Sequence, residues 1–156
     1  MAPVDAGRVN GEREALIAAL AAFPARLGAA AQAASDRAAG DRPLPDGEWG
    51  PPEVVRHLIA VETDVHQARL ADLATIDDPR WDWTEPGPWS GEPGCSLAAL
   101  LDRFAGLRAA TLATVGALDE AGWRRTGTHT SLGRWDVAGL LRNAVDHDAE
   151  HLAGLR

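Results

Sequence analysis

Two histidines near the C-terminal end of the chain have the spacing of a metal-binding pair. In the run His147-Asp148-Ala149-Glu150-His151 the imidazoles are four residues apart. On a helix they therefore lie about 40° apart around the axis and about one turn along it, so both point the same way. Paired imidazoles suit a divalent ion, although the run lacks the glutamate that follows the first histidine in HExxH zinc proteases. The alternative is two core histidines that are hydrogen-bonded to their neighbours.

The residues around this pair place it on the buried face of a helix. An apolar stripe recurs at three- and four-residue spacing and consists of Leu140, Ala144, His147, His151 and Leu155. A histidine on such a stripe points into the protein, where a polar ring needs a partner.

A third histidine, His57, occupies a similar stripe on an earlier helix. That stripe consists of Val54, His57, Val61, Asp64 and Ala68. Glu53 and Asp64 lie one and two turns from His57 on nearly the same side, which makes them candidate catalytic groups or partners of the ring. Glu62 is predicted to point away from His57, and His66 to lie on the opposite, solvated face.

Arg108 is the charged member of a third stripe. The stripe consists of Leu97, Leu101, Phe104, Arg108, Thr111, Val115 and Leu118. A buried arginine either holds an anionic group of a substrate or pairs with an inward carboxylate such as Asp64, and ion pairing is the commoner reason. Arg108 therefore joins Glu53 and Asp64 as a candidate catalytic or substrate-binding residue.

Composition restricts the class of protein. The 156 residues are enough for one domain with a single core, and a formal charge of -8 argues against nucleic acid and anionic membrane surfaces as partners. No apolar run of transmembrane length and no signal-peptide core are evident, so a cytoplasmic protein without a membrane partner is expected. Strand-forming residues are sparse, which favours an all-α fold.

Helix-breaking and helix-capping residues divide the chain into four predicted helices. Residues 1–9 are expected to form a flexible tail and residues 10–156 one helical domain. Asn10 is predicted to cap the first helix, which Pro24 would kink or interrupt. Because four amphipathic helices without a repeat form bundles, an up-down four-helix bundle is predicted.

The remaining boundaries follow from similar signals. The run Trp49-Gly50-Pro51-Pro52-Glu53 opens the second helix, Ser96 caps the third, and Trp135 or Asp136 begins the fourth. A long loop rich in tryptophan and proline, residues 76–95, separates the second and third helices. Such a loop acts either as a lid over a binding site or as a hydrophobic plug, and the plug is favoured slightly.

These motifs together resemble the signatures of DinB-like proteins. The run Trp49–Leu58 (WGPPEVVRHL) is similar to the pattern WSxxExxxHL, and Phe104-xxx-Arg108 to the pattern on the third helix. The segments His129-Thr-Ser-Leu-Gly133 and His147–Leu152 (HDAEHL) resemble the HxxxG…HDxxHL ending. The likeness covers most of the chain from about Trp49 onward, in the correct order and spacing.

The resemblance implies a four-helix bundle, often dimeric, that holds a divalent metal on His57, His147 and His151. Zinc or nickel are the metals expected, and a homodimer is compatible. Relatives include S-transferases that use bacillithiol, mycothiol or glutathione, and mycothiol-dependent maleylpyruvate isomerases. The isomerases replace one histidine of the pair by glutamate, so His147 disfavours that reaction here.

Three functions remain open, and none of them involves nucleic acid; a small-molecule substrate is expected for the two enzymes. The first is a thiol-dependent S-transferase, in which the metal activates a low-molecular-weight thiol such as mycothiol for attack on an electrophile. The second is a metal-dependent hydrolase that uses the same residues. The third is a non-catalytic, metal-stabilised bundle that binds a small molecule or a partner protein.

Overall fold

Four long helical segments make up most of the molecule. The computed structural model describes residues 6–38, 44 and 46–155. The elements in this part of the chain are α1 (Ala6–Ala38), α2 (Pro51–Val61), a π-helical turn (Glu62–Gln67), α3 (Ala68–Thr75), β1 (Arg80–Trp81), α4 (Leu97–Gly116), α5 (Glu120–Trp123), β2 (Thr126–His129), β3 (Gly133–Asp136) and α6 (Val137–Gly154). Since α2, the π-helical turn and α3 follow one another directly, they form one segment over 51–75.

The starts of three helices are those that the sequence predicts. Proline occupies the first turn of α2. The Ser96 side chain accepts a hydrogen bond from the Ala99 N–H at 3.2 Å at the start of α4, and Asp136 accepts one from the Gly139 N–H at 2.8 Å at the start of α6. These caps satisfy N–H groups that have no partner inside the helix.

The first helix begins earlier than predicted and continues through Pro24. It already includes Ala6, so Asn10 lies inside the helix and residues 6–9 are not a tail; residues 1–5 lie outside the described part of the chain. A nucleated helix gains one backbone hydrogen bond for each added residue, which favours its extension past Asn10. Pro24 does not interrupt the helix either. It leaves the Leu20 carbonyl without its usual N–H donor, and Arg108 Nη1 donates to that oxygen at 3.3 Å.

The order of the helices around the bundle is not that of a simple up-down bundle. The most extensive packing is of α1 against α4 and α6, and of α2 against α4. Side chains of α2 and α6 meet at the histidines. Around the bundle the order is therefore α1, α4, α2, α6, whereas an up-down bundle places helices in chain order.

A buried ionic layer separates two apolar clusters in the core. One cluster includes Leu16, Leu20, Leu70, Leu73, Val115 and Leu141, and the other includes Phe23, Leu27, Val55, Leu58, Leu100 and Phe104. Between them Arg108 Nη2 lies 3.0 Å from Glu62 Oε2, and its Nη1 lies 2.7 Å from Asp148 Oδ2. Apolar burial supplies the main driving force for folding, and this layer adds fixed polar contacts between three helical segments.

A small sheet corrects the all-α prediction. Strands β1 and β2 pair in parallel, with Trp81 opposite His129, and β2 pairs with β3 in an antiparallel hairpin. Gly133 has a φ of 85° at the hairpin turn, a conformation that glycine adopts without strain. The segment 76–95, predicted as a loop, therefore contains strand β1. The sheet connects this segment to the hairpin of β2 and β3 beside the bundle.

One helix is long and apolar enough to cross a membrane. Among the described residues, α1 meets this criterion over Gly7–Ala38 by length and composition alone. The predicted absence of an unbroken apolar run concerns a different property, since Arg26 interrupts α1; the helix meets the criterion because many alanines raise its mean hydropathy. Leu20, Phe23 and Leu27 of this helix are nevertheless buried against the rest of the bundle, as in a core helix.

Candidate metal centre

Three histidines from two helical segments converge at one point. His57 lies on α2, and His147 and His151 lie on α6; one ring nitrogen of each is within 4.8 Å of the other two. The Nε2 atoms of His147 and His151 are 3.1 Å apart, and the His57 and His151 ring centroids are 4.7 Å apart. The sequence predicts this convergence from the stripes on the two helices.

The tautomer of His57 is set by a backbone carbonyl. Its Nδ1 lies 2.7 Å from the carbonyl oxygen of Pro86. A carbonyl only accepts hydrogen bonds, so Nδ1 carries the proton and Nε2 has a free lone pair. That Nε2 is buried and has no hydrogen-bond partner among the described residues. A carbonyl behind one ring nitrogen and a free lone pair at the other is the arrangement of a histidine that ligates a metal.

Burial keeps the paired histidines uncharged. Burial and the nearby His151, His66 and His57 lower the pKa of His147 to about 3. Burial, followed by the effect of His57, also lowers the pKa of His151, while Glu150 and Glu85 oppose this shift. Neutral imidazoles offer lone pairs to a metal at neutral pH, whereas imidazolium ions do not.

The three nitrogens fit a divalent ion of the zinc type. Nitrogens bound to one zinc at about 2.0–2.1 Å lie no more than about 4.2 Å apart. The separation of at most 4.8 Å therefore needs only small side-chain rotations. Three imidazoles leave at least one coordination position for another ligand, which is typical of catalytic rather than closed structural sites.

A cavity of about 330 Å³ lies beside the cluster. His147 and His151 form part of its wall, with His57 buried behind them. Other side chains of the wall are His66, Arg69, Trp83, Glu85, His129, Leu132, Trp135, Asn143 and Glu150. This volume is near the lower end of the range for small-molecule sites.

Arg108 lies in the core and does not line this cavity. It is 1% exposed and donates two hydrogen bonds to Glu62 and two to Asp148. The predicted carboxylate partner exists, but it is not Asp64. Because both carboxylates already occupy its guanidinium, an ion-pairing role explains Arg108 without a substrate.

Glu53 and Asp64 are both exposed and neither lines the cavity. The Asp64 carboxylate accepts a hydrogen bond from Thr63 Oγ1 at 2.9 Å. Neither residue is in a position to hold the His57 ring, a role that the Pro86 carbonyl fills instead.

The π-helical turn explains why the directions predicted from the sequence are wrong for three side chains, those of Asp64, Glu62 and His66. A π-helix closes i→i+5 hydrogen bonds, so it inserts roughly one residue into the α-helical register. Residues after Val61 are therefore rotated relative to a continuous α-helix. Glu62 and His66 turn inward, with His66 Nδ1 3.1 Å from Glu62 Oε2, and Asp64 turns outward. His66 is buried, not solvated.

Two parts of the site come from segments that are distant in sequence. Pro86, Trp83 and Glu85 belong to the tryptophan-rich segment, which therefore forms part of the site as well as covering the core. His129 reaches the cavity wall through the sheet. The only sequence signal for His129 is its place in the HxxxG motif.

Comparison with known families agrees with this architecture. The model of the DinB superfamily matches residues 19–154 of the chain. The chain belongs to the DinB superfamily. The family resemblance drawn from the motifs is therefore confirmed, and the match also covers the part of α1 from residue 19 onward.

A solved structure shares the fold of this DinB-superfamily chain. YfiT from Bacillus subtilis, described as a probable metal-dependent hydrolase with an unusual four-helix bundle topology, superposes with a TM-score of 0.71. It is 20% identical, and the alignment covers 99% of this chain and 87% of YfiT. A comparison with proteins of curated function finds no match. At this identity the likeness establishes the fold alone.

Proposed function

We propose that this DinB-superfamily protein is a metal-dependent hydrolase of small molecules, with zinc or nickel held by His57, His147 and His151. The observation that carries the proposal is the buried, unpartnered Nε2 of His57 beside the paired Nε2 atoms of His147 and His151. Burial of a nitrogen without a hydrogen-bond partner costs free energy of folding unless a bound ligand supplies the missing partner. The description of YfiT as a probable metal-dependent hydrolase is consistent with this choice.

The side chains around the cluster suit hydrolysis. His57, His147 and His151 would hold a divalent ion, which when bound would lower the pKa of a coordinated water or thiol. Glu85 and Glu150 lie on the cavity wall and act electrostatically on His151. Either carboxylate is in the right region to accept a proton from an attacking water. Trp83 and Trp135 offer apolar surface for the body of the substrate.

A thiol-dependent S-transferase is the second candidate, and one observation favours it. Glu85 and Glu150 are exposed, and among the described residues neither is hydrogen-bonded to a histidine of the cluster. No carboxylate is thus held in place as a general base. A thiol such as mycothiol has an ordinary pKa far below that of water, so it needs less help to ionise at a metal.

Metal content tests the centre itself. Protein equilibrated with zinc or nickel and then desalted should retain about one ion per chain in elemental analysis. His57→Ala, His147→Ala and His151→Ala should each retain far less, because two ligands hold a metal weakly. His129→Phe is the matched control, since His129 lines the same cavity outside the cluster. Equal metal content in all five proteins would refute the metal centre.

A substrate screen then separates the reactions. Metal-loaded wild type and His57→Ala should be assayed with small esters and amides, and with electrophiles plus mycothiol, glutathione or bacillithiol. Turnover of esters or amides without thiol, lost in His57→Ala, is the expected result. Turnover only with a thiol would replace hydrolase by S-transferase. A metal-loaded protein without turnover in either screen would favour a non-catalytic binding bundle.

A further inference from the structure

Arg69 is a buried cation on the cavity wall without an ion-pair partner. It is 7% exposed and lines the cavity beside the histidine cluster. Among the described residues its guanidinium donates one hydrogen bond, to the Asp82 carbonyl oxygen at 3.2 Å, and no carboxylate lies within ion-pair distance. Asp72 acts on Arg69 electrostatically, but its carboxylate accepts a hydrogen bond from Trp81 Nε1. Several guanidinium N–H groups therefore remain for a ligand.

His129 presents a second unused donor on the same wall. Its Nδ1 accepts hydrogen bonds from the Ser131 N–H at 3.1 Å and the Leu132 N–H at 3.2 Å. The Nε2 atom therefore carries the proton of the neutral ring. This Nε2 is buried and has no partner among the described residues, and the whole residue is 1% exposed. A buried N–H without an acceptor indicates a missing ligand atom.

The two ends of the cavity differ in charge. Burial, followed by the positive charge of Arg69, lowers the pKa of His129, so these two residues are close enough to interact. Glu85 and Glu150 act on His151 at the histidine cluster instead. Trp83 lies 6.3 Å from His129 between ring centroids, and Pro86 holds the His57 ring at the cluster, so the tryptophan-rich segment runs from one end of the cavity to the other. At the end of Arg69 and His129 the charge of Arg69 is accompanied by that of Asp82, whereas Glu85 and Glu150 act at the cluster without a cation. A bound molecule with one anionic end is oriented by this asymmetry.

We propose that Arg69 and His129 form a subsite for the carboxylate of a small substrate whose other end meets the histidine cluster. The proposal deepens the function proposed above and rests on it for the position of the reacting end. Arginine presents a planar fork that matches a carboxylate, and the His129 N–H adds a third donor.

The charge balance selects a carboxylate over a phosphate monoester. Arg69 brings one positive charge, and the neutral His129 brings none. The single positive charge of Arg69 matches one carboxylate, whereas the second negative charge of a phosphate monoester would be left uncompensated. Asp82 acts electrostatically on His129, and Glu85 and Glu150 line the cavity, so further negative charge is disfavoured there. Indole rings of Trp83 and Trp135 lie against His129, which suits an apolar body behind the carboxylate.

Calorimetric titration with three matched probes tests the subsite. Benzoate, benzamide and phenyl phosphate share one ring and differ in the group that meets Arg69. In the protein as purified, benzoate should bind at least tenfold more tightly than either of the others. Arg69→Met should weaken benzoate binding by about ten- to a hundredfold, and His129→Phe by about three- to tenfold, with little change for benzamide. Arg103→Met, an exposed arginine outside the cavity, is the charge-matched control.

The other possible results of the titration either support or overturn the carboxylate subsite. Unchanged benzoate affinity in Arg69→Met and His129→Phe would overturn it, and so would phenyl phosphate binding as tightly as benzoate. If Arg69→Met fails to fold, Arg69→Lys replaces it, and a loss of about fivefold or more is expected because the fork is lost. Repeating the titration in His57→Ala separates the subsite from the metal. Benzoate binding that survives there supports the subsite even if metal content refutes the metal centre.

Discussion

Replacing Arg108 by methionine tests the buried ionic layer most directly. Methionine has a similar length and no charge, so the change removes the guanidinium without a large cavity. In the wild type Arg108 donates to Glu62 at 3.0 Å through both Nε and Nη2, and to Asp148 at 2.7 and 3.1 Å. The variant leaves both carboxylates buried without the guanidinium, since Glu62 is 0% and Asp148 3% exposed. Glu62 then keeps only its hydrogen bonds with His66 and Thr111.

The cost of breaking a buried ion pair sets the magnitude of the loss. Removing one partner of a buried ion pair costs about 3–5 kcal/mol. Burial alone would raise the pKa of Glu62, but hydrogen bonds from His66 and Arg108 and the charge of Arg108 lower it from 4.5 to about 2. That shift corresponds to about 3 kcal/mol at neutral pH, and it is shared between His66 and Arg108. For a chain of this size, a loss of 3–5 kcal/mol lowers the Tm by about 6–20 °C.

Urea unfolding followed by circular dichroism at pH 7 measures the loss. Arg142→Met is the control, because Arg142 is a surface arginine 2.8 Å from Glu12 and 52% exposed, and such pairs contribute at most about 1 kcal/mol. A loss in Arg108→Met no larger than in Arg142→Met would refute the reasoning. Replacing Glu62, Arg108 and Asp148 together by apolar residues should recover most of the stability, because no charge is then left buried.

Three further predictions concern single positions. The pKa of Glu62 in the folded protein lies below its usual value, so the ionised carboxylate stabilises the fold above about pH 4.5, and this stabilisation is lost as the pH falls to about 2. In urea titrations the stability difference between wild type and Glu62→Gln should therefore shrink over that range. Ser96→Ala should cost about 1 kcal/mol in the same assay, through loss of the α4 cap. Gly127→Ala should lower the Tm, since a Cβ there lies 2.4 Å from the buried Trp81 ring, whereas Gly106→Ala meets nothing within 4 Å and should raise it.

Regular periodicity made the histidine cluster predictable. His147 and His151 share a helix without irregularities, so their apolar stripe gives their direction correctly. His57 precedes the π-helical turn, and its stripe is still in α-helical register. The same argument fails from Glu62 onward, because a single inserted residue redirects every later side chain while the apolar pattern still reads as one helix.

The periodicity of apolar residues could not predict contacts between segments that are distant in sequence. The sheet pairs Trp81 with His129, and the Pro86 carbonyl accepts a hydrogen bond from the His57 ring. The sequences of the tryptophan-rich segment and of the hairpin nevertheless favour loops. Neither contact leaves a local signal, because two- and four-residue strands are too short to show an alternation of polar and apolar residues. Such segments carry much of the site, as is common for loops on a rigid helical scaffold.

The ionic layer also explains how the bundle positions its histidines. Glu62 follows His57 along the 51–75 segment by little more than one turn, and Asp148 is the next residue after His147 on α6. Arg108 on α4 binds both carboxylates at once. One guanidinium therefore restrains the rotation of both histidine-bearing segments about their axes. A rotation of either segment would separate the three imidazoles. The buried ion pairs of Arg108 therefore also stabilise the arrangement of the histidine cluster.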